Sequence, residues 1–206
     1  LNALNSCESC NLQGANLSGA NLSGSDLGKA NLNGADLSKA DLWEADLSEA
    51  YLIKANLSGA DLSEAYLIKA NLSGAYLSEA DLSKADLSKA NLYRAYLSEA
   101  DLSEADLSKA NLTGVNLIKA NLYRANLSEA DLGGADLTGA SIWNADLSGA
   151  NLVGANLSYA TLGGANLSKA NLSDADLSGA NLSDANIDGA TLCNTKTPWG
   201  IDDSGC

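Results

Sequence analysis

The side chains able to do chemistry are four cysteines and a file of aspartates. Cys7-Glu8-Ser9-Cys10 makes a CxxC, and Cys193 and Cys206 stand at the far end of the chain. A CxxC supports thiol–disulfide exchange when it opens a helix beside a βαβ unit, and binds zinc when two more ligands join it. No βαβ pattern surrounds this one, and the other two cysteines are remote in sequence. Aspartates recur at every twentieth residue, at Asp41, Asp61, Asp81 and Asp101. Stacked one above another, they could share Ca²⁺, which takes six to eight oxygen ligands. A single file supplies few, so the ladder predicts a weak divalent-cation site and nothing tighter. The chain has no histidine. Its serines recur mostly at the solvent-facing repeat position, and a regular rod offers flat faces where catalysis needs a concave, water-excluding site. No Gly-rich phosphate loop or cofactor motif is present. The sequence therefore predicts no catalytic residue, no cofactor and no enzyme.

The elements that position these residues follow from one period. Leucine recurs at every fifth residue from Leu12 to Leu192, thirty-seven sites, replaced only by Ile142 and Ile187. Alanine stands two residues before it, except at Cys10, Ser25 and Val115. A period of five fits neither the 3.6 of a helix nor the 2.0 of a strand. A helix would smear the leucines around its axis, and a strand would alternate them between faces. A chain that turns at every pentad wastes neither. Four pentads make one square coil of twenty residues, and stacked coils bury every leucine in one column. Thirty-seven pentads give about nine coils, and at roughly 4.8 Å per rung the rod is about 45 Å long. Leu and Ala point inward. The other three positions face water, with Gly and Asn suited to corners of positive φ.

The motif Ala-(Asp/Asn)-Leu-x-x, seen in Ala15-Asn16-Leu17-Ser18-Gly19 and its copies, resembles the pentapeptide-repeat family. The resemblance runs from residue 10 to residue 192. It implies an all-β fold, a right-handed quadrilateral β-helix with four pentapeptides per coil and a cap at each end. The family often mixes Phe with Leu at the centre, and this chain has no Phe.

Three regions are expected: an N-terminal cap at 1–10, a solenoid at 11–192 and a C-terminal cap at 193–206. A disulfide needs its Cα atoms within about 7 Å, which a 45 Å rod denies to any end-to-end pair. The predicted pairs are therefore Cys7–Cys10 and Cys193–Cys206, each closing an end whose edge and core would otherwise lie open. In the tail, Trp199 or Ile201 is expected to cover the last leucine rung. The two cysteine-bearing ends resemble those of exported cyanobacterial members of the family, which implies the thylakoid lumen or the periplasm. The sequence contains no methionine, which agrees with a leader removed before Leu1.

The outward residues form columns at a spacing of twenty. Glu44, Glu64, Lys84, Glu104 and Arg124 make one column of mixed charge, and Asn31, Tyr51, Asn71, Asn91 and Asn111 one of amides. Tyr76 and Tyr96 should stack. Trp43, Tyr123 and Trp143 share a column, with Arg124 beside Tyr123, while Ile53, Tyr93 and Val153 lie on the opposite side. Aromatic and Arg side chains are enriched at protein interfaces. Trp43, Tyr123, Arg124, Trp143, Tyr76 and Tyr96 are thus the candidate partner-binding residues.

The net charge of −14 denies the chain a basic nucleic-acid footprint, and no apolar run is long enough to span a membrane. The expected function is a non-enzymatic structural or interaction protein that shows charged and aromatic ladders to a protein partner. It is expected as a monomer or a weak homo-oligomer. An alternative implied by the resemblance is a DNA-mimic inhibitor of a type II topoisomerase. It is favoured by the acidity and disfavoured by the terminal cysteines. A weak divalent-cation binder is the second alternative.

Overall fold

Each pentad folds as one bridging residue followed by one tight turn. Ala15 N–H donates to the Leu12 carbonyl at 3.0 Å, closing a turn whose third residue, Gly14, has φ 66°. Positive φ at that place alone is the type II pattern. The next coil is joined through parallel bridges twenty residues on. Leu12 N–H donates to Asn31 O at 2.8 Å, and Asn31 N–H donates to Cys10 O at 2.8 Å. Such bridges continue from Ser6↔Asp26 to Asp176↔Lys196, always twenty residues apart. In this computed structural model, which describes residues 6–206, the chain is a right-handed quadrilateral β-helix, as expected.

The core is a column of one side-chain type. Every leucine or isoleucine site from Leu27 to Leu177 is at most 2% exposed, and the alanine sites between them are closed as tightly. Alanine is small enough to fit between the leucines, and Val115 is buried at the same kind of site. Burial of each leucine contributes roughly 1.5–3 kcal/mol, an upper bound against an extended chain.

The corners hold a cost the sequence does not hide. Many are not glycine: Lys89 has φ 61°, Glu104 59° and Tyr159 58°. An L-residue in this region costs roughly 1–2 kcal/mol, recovered here from burial and inter-coil bonds. Lys89→Gly is expected to match or exceed wild-type stability, whereas Lys89→Val, β-branched at positive φ, should fall below Lys89→Gly by roughly 1–2 kcal/mol. Urea titration of the two variants checks this, and equal midpoints would contradict it.

Both ends carry the expected disulfides. Cys7–Cys10 spans 5.3 Å between Cα atoms and Cys193–Cys206 spans 4.7 Å. Of the expected N-terminal cap at 1–10, residues 1–5, Leu1 among them, lie outside the described residues. At the C-terminus a hairpin, β1 (Thr195–Thr197) and β2 (Gly200–Asp202), closes part of the last coil. β1 extends one face of the solenoid, with Lys196 N–H donating to Ala175 O at 2.9 Å, and β2 pairs antiparallel on top of it. The rung is sealed by Thr195, fully buried, whose hydroxyl donates to Leu172 O at 2.8 Å. Gly205 lies so close to Thr191 and Leu192 that a Cβ would sit 2.5 Å from the Leu192 nitrogen. The expectation that Trp199 or Ile201 covers the last rung is overturned. They are 63% and 67% exposed, because the β1–β2 pairing carries both outward.

Candidate interaction faces

The residue before each leucine explains the repeat's second letter. Its side-chain oxygen accepts the backbone N–H two residues on: Ser63 N–H donates to Asp61 Oδ1 at 2.9 Å, and Ser73 N–H to Asn71 Oδ1 at 3.2 Å. Asn and Asp are the residues that make this local turn bond. Amides also bond along the rod, as Asn111 does to Asn91 at 3.1 Å and Asn121 to Asp101 at 3.0 Å. Donors of this kind hold the carboxyls of Asp36, Asp176 and Asp202 below the usual carboxylate range. For Asp36 the cause is first the Ser38 hydroxyl and then its N–H. For Asp176 it is the Ser178 hydroxyl and N–H, with Lys196 adding less. For Asp202 it is the Ser204 hydroxyl and N–H. A lowered folded-state value contributes stability that is full above the ordinary carboxylate pKa and is lost as pH falls from there through the lowered value.

The aspartate ladder makes the same turn bonds. Asp41, Asp61, Asp81 and Asp101 bridge in register, but each turns Oδ1 to its own backbone: to Trp43, Ser63, Ser83 and Ser103 N–H. Among the described residues no three acidic or thiol side chains converge to hold a metal ion. The ladder stays single file, which offers a divalent cation few ligands at any one point. Calcium titration at millimolar concentration is expected to give no binding heat, and a saturable heat lost in Asp61→Asn/Asp81→Asn would contradict this.

The charged columns pair sparsely. Lys84 meets Glu64 at 3.4 Å, Lys109 meets Glu129 at 3.7 Å and Lys119 meets Glu99 at 3.6 Å, all exposed. Exposed pairs contribute about 0–1 kcal/mol, so these columns decorate the rod more than they hold it.

The aromatics divide into separate groups. Tyr76 and Tyr96 stack as expected, with ring centroids 5.2 Å apart and planes within 6°. They are 47% and 46% exposed. Both occupy the Asn/Asp position, so each gives up the local turn bond, and no side chain accepts the N–H of Ser78 or Ser98 among the described residues. Tyr93, three residues before Tyr96 at the corner leading into the same face, carries Arg94 over its ring at 5.1 Å. Arg94 is a residue the sequence reading passed over. Its signal was the repeated dipeptide Tyr93-Arg94 and Tyr123-Arg124.

The second group is looser than expected. Arg124 covers Tyr123 at 5.0 Å. Trp143 shares the column but leans the other way, over Gly163, where a Cβ would meet its ring at 2.4 Å. That is why glycine replaces the usual serine there. Trp43 lies four coils from Tyr123, about 19 Å at the rung spacing. The structure therefore brings together Tyr76 with Tyr96, and Tyr93 with Arg94, as two separate pairs. It does not bring together Trp43, Tyr123 and Trp143.

The repeat geometry matches a known pattern along nearly its whole length. Eight copies of the model "Pentapeptide repeats" match between residues 6 and 196. The chain belongs to the pentapeptide-repeat family. Among solved structures, this pentapeptide-repeat protein is similar to HetL from the cyanobacterium Nostoc sp. strain PCC 7120, a protein involved in heterocyst differentiation regulation. The two are 42% identical over 97% of this chain and 94% of that one, with a TM-score of 0.44. A pentapeptide repeat protein of the Arabidopsis thaliana thylakoid lumen is 33% identical over 44% of this chain and 63% of that one, with a TM-score of 0.30. QnrB1, a plasmid-mediated fluoroquinolone resistance protein, shares the fold at 18% identity over 90% and 92% of the two chains, with a TM-score of 0.51. No curated protein matches the chain in sequence. No helix among the described residues is long and apolar enough to cross a membrane.

Proposed function

We propose that this pentapeptide-repeat protein is a non-enzymatic interaction protein of an oxidising compartment, the thylakoid lumen or the periplasm, and that the Tyr76–Tyr96 face receives a protein partner. One observation carries the reading. The stacked tyrosines replace residues that close turns, so the chain gives up two local hydrogen bonds to show two half-exposed rings. Departures from local consistency of this kind concentrate at functional sites. Two closed disulfides and the lumenal relative support the compartment.

The test uses the consensus itself. Tyr76→Asn/Tyr96→Asn restores both turn acceptors and is expected to keep or raise stability. The same change should abolish retention of a partner from a lumenal or periplasmic extract. Equal retention by the variant and the parent would sink the proposal. Intact mass after acid trapping and alkylation of the native protein tests the compartment. Two disulfides are expected, and four alkylated thiols would overturn the assignment.

The topoisomerase-inhibitor reading is favoured by the net charge of −14. Spread over about 45 Å, that charge is roughly one per 3 Å, half the density of duplex DNA at about one per 1.7 Å. Lys and Arg at the corners also break the acidic field. A supercoiling assay at micromolar protein is expected to show no inhibition of the enzyme.

A further inference from the structure

The last coil is closed on two sides and open on the other two. β1 and β2 cover the side that ends at Leu177, and Gly205 with the Cys193–Cys206 disulfide covers the side at Leu192. Between them, residues 180–190 have no coil bonded above them among the described residues. Every earlier coil sends its leucine and corner N–H groups to the next coil. Here the N–H groups of Leu182, Asp184, Ile187 and Gly189 and the carbonyls of Ala180 and Ala185 make no hydrogen bond among the described residues. The core opens at the same place. Ile187 is 38% exposed and Leu182 half-buried, where each leucine site from Leu27 to Leu177 is at most 2% exposed.

We propose that this open half-coil receives an extended basic segment of a partner protein, which adds as one more half-turn of the solenoid. Strand addition supplies affinity through main-chain bonds and specificity through alternate side chains. The positions decide the occupant. Two apolar residues five apart would seat on Leu182 and Ile187. The rim beside them carries Asp184 and Asp188, both exposed, and one cation, Lys169, lies beneath Gly189. With a net charge of −14 behind that rim, lysine or arginine on the incoming segment is favoured. A second copy of this chain would bring another acidic end.

The test is an amide NMR titration of the full chain with the peptide Ala-Asn-Leu-Ser-Lys-Ala-Asn-Leu-Lys-Gly, whose lysines fall over Asp184 and Asp188 when its leucines seat on Leu182 and Ile187. Saturable shifts are expected at the amides of Leu182, Asp184, Ile187 and Gly189. Binding should weaken by roughly tenfold when both peptide lysines are glutamate, and by a similar factor in Asp184→Lys/Asp188→Lys, since charge complementarity of this kind sets selectivity. Circular dichroism confirms that the variant stays folded. Absence of shifts, shifts confined to the Tyr76–Tyr96 face, or equal affinity for the two peptides would each overturn the proposal. Protection of these amides that rises with protein concentration alone, with a dimer in sedimentation, would assign the edge to a second copy instead. This site is separate from the tyrosine face, so Tyr76→Asn/Tyr96→Asn should bind the peptide as the parent does.

Discussion

Leu102→Ala is expected to cost about 2–5 kcal/mol, toward the upper part of the usual range for a buried leucine. The cost depends on whether the surroundings can close the cavity, and here they cannot. Leu102 is fully buried, and its pentad is pinned from both sides: its N–H donates to Asn121 O at 2.7 Å, and Asp101 O accepts from Leu82 N–H at 2.7 Å. The neighbours that line the space are leucines and alanines held in identical rungs. The chain has no Phe and no Met, so no larger or more pliable side chain can lean in. Leu17→Ala, at a half-buried site near the N-terminal end, should cost markedly less, roughly 1 kcal/mol on the area scale. Stability in a solenoid is close to a sum of repeat and nearest-neighbour terms. A defect at mid-rod therefore removes coupling between two halves, and its denaturation curve should broaden or split, whereas the end defect should only shift it. A Leu102→Ala midpoint within 1 kcal/mol of wild type would show that the rungs relax more freely than this geometry allows.

How much of this was legible in the sequence differs by position. The leucine and alanine sites carry one meaning each, because every coil poses them the same steric problem. The coil, the register of twenty and the tyrosine stack all followed. The cysteine pairs followed from length alone. What did not follow depends on side-chain direction, which spacing does not encode. Trp143 and Tyr123 share a column, yet one ring leans over Gly163 and the other lies under Arg124. The aspartate file reads as a ladder of free carboxylates in sequence, and in the fold each Oδ1 closes its own turn. Trp199 and Ile201 look like core plugs by composition. A hairpin whose paired strand is filled by Thr195 and Thr197 leaves them outside. Beyond the last repeat the period stops constraining the chain, and hydrophobicity alone does not say which residue seals an end.

Removal of the C-terminal disulfide by Cys193→Ser/Cys206→Ser is expected to cost about 3 kcal/mol, the chain-entropy value for a loop of this length. The loss should be confined to the end of the rod. The bond closes a separation of 13 residues, against 3 for Cys7–Cys10, for which the same relation gives about 2 kcal/mol. Without it, Gly205 is no longer held on Thr191 and Leu192, and β2 loses its anchor beyond Asp202. The edge that β2 and the tail shield would then join the edge already open at residues 180–190. Hydrogen exchange should accelerate from the tail inward through the last one or two coils and remain unchanged near Leu102, since each coil bonds only to its neighbours. Uniform acceleration along the rod would mean that the solenoid unfolds as one cooperative unit and that its ends govern the whole. Confinement to the tail would mean that the disulfide serves the edge and not the core. An oxidising compartment would then matter to this protein for what its last coil exposes rather than for whether it folds.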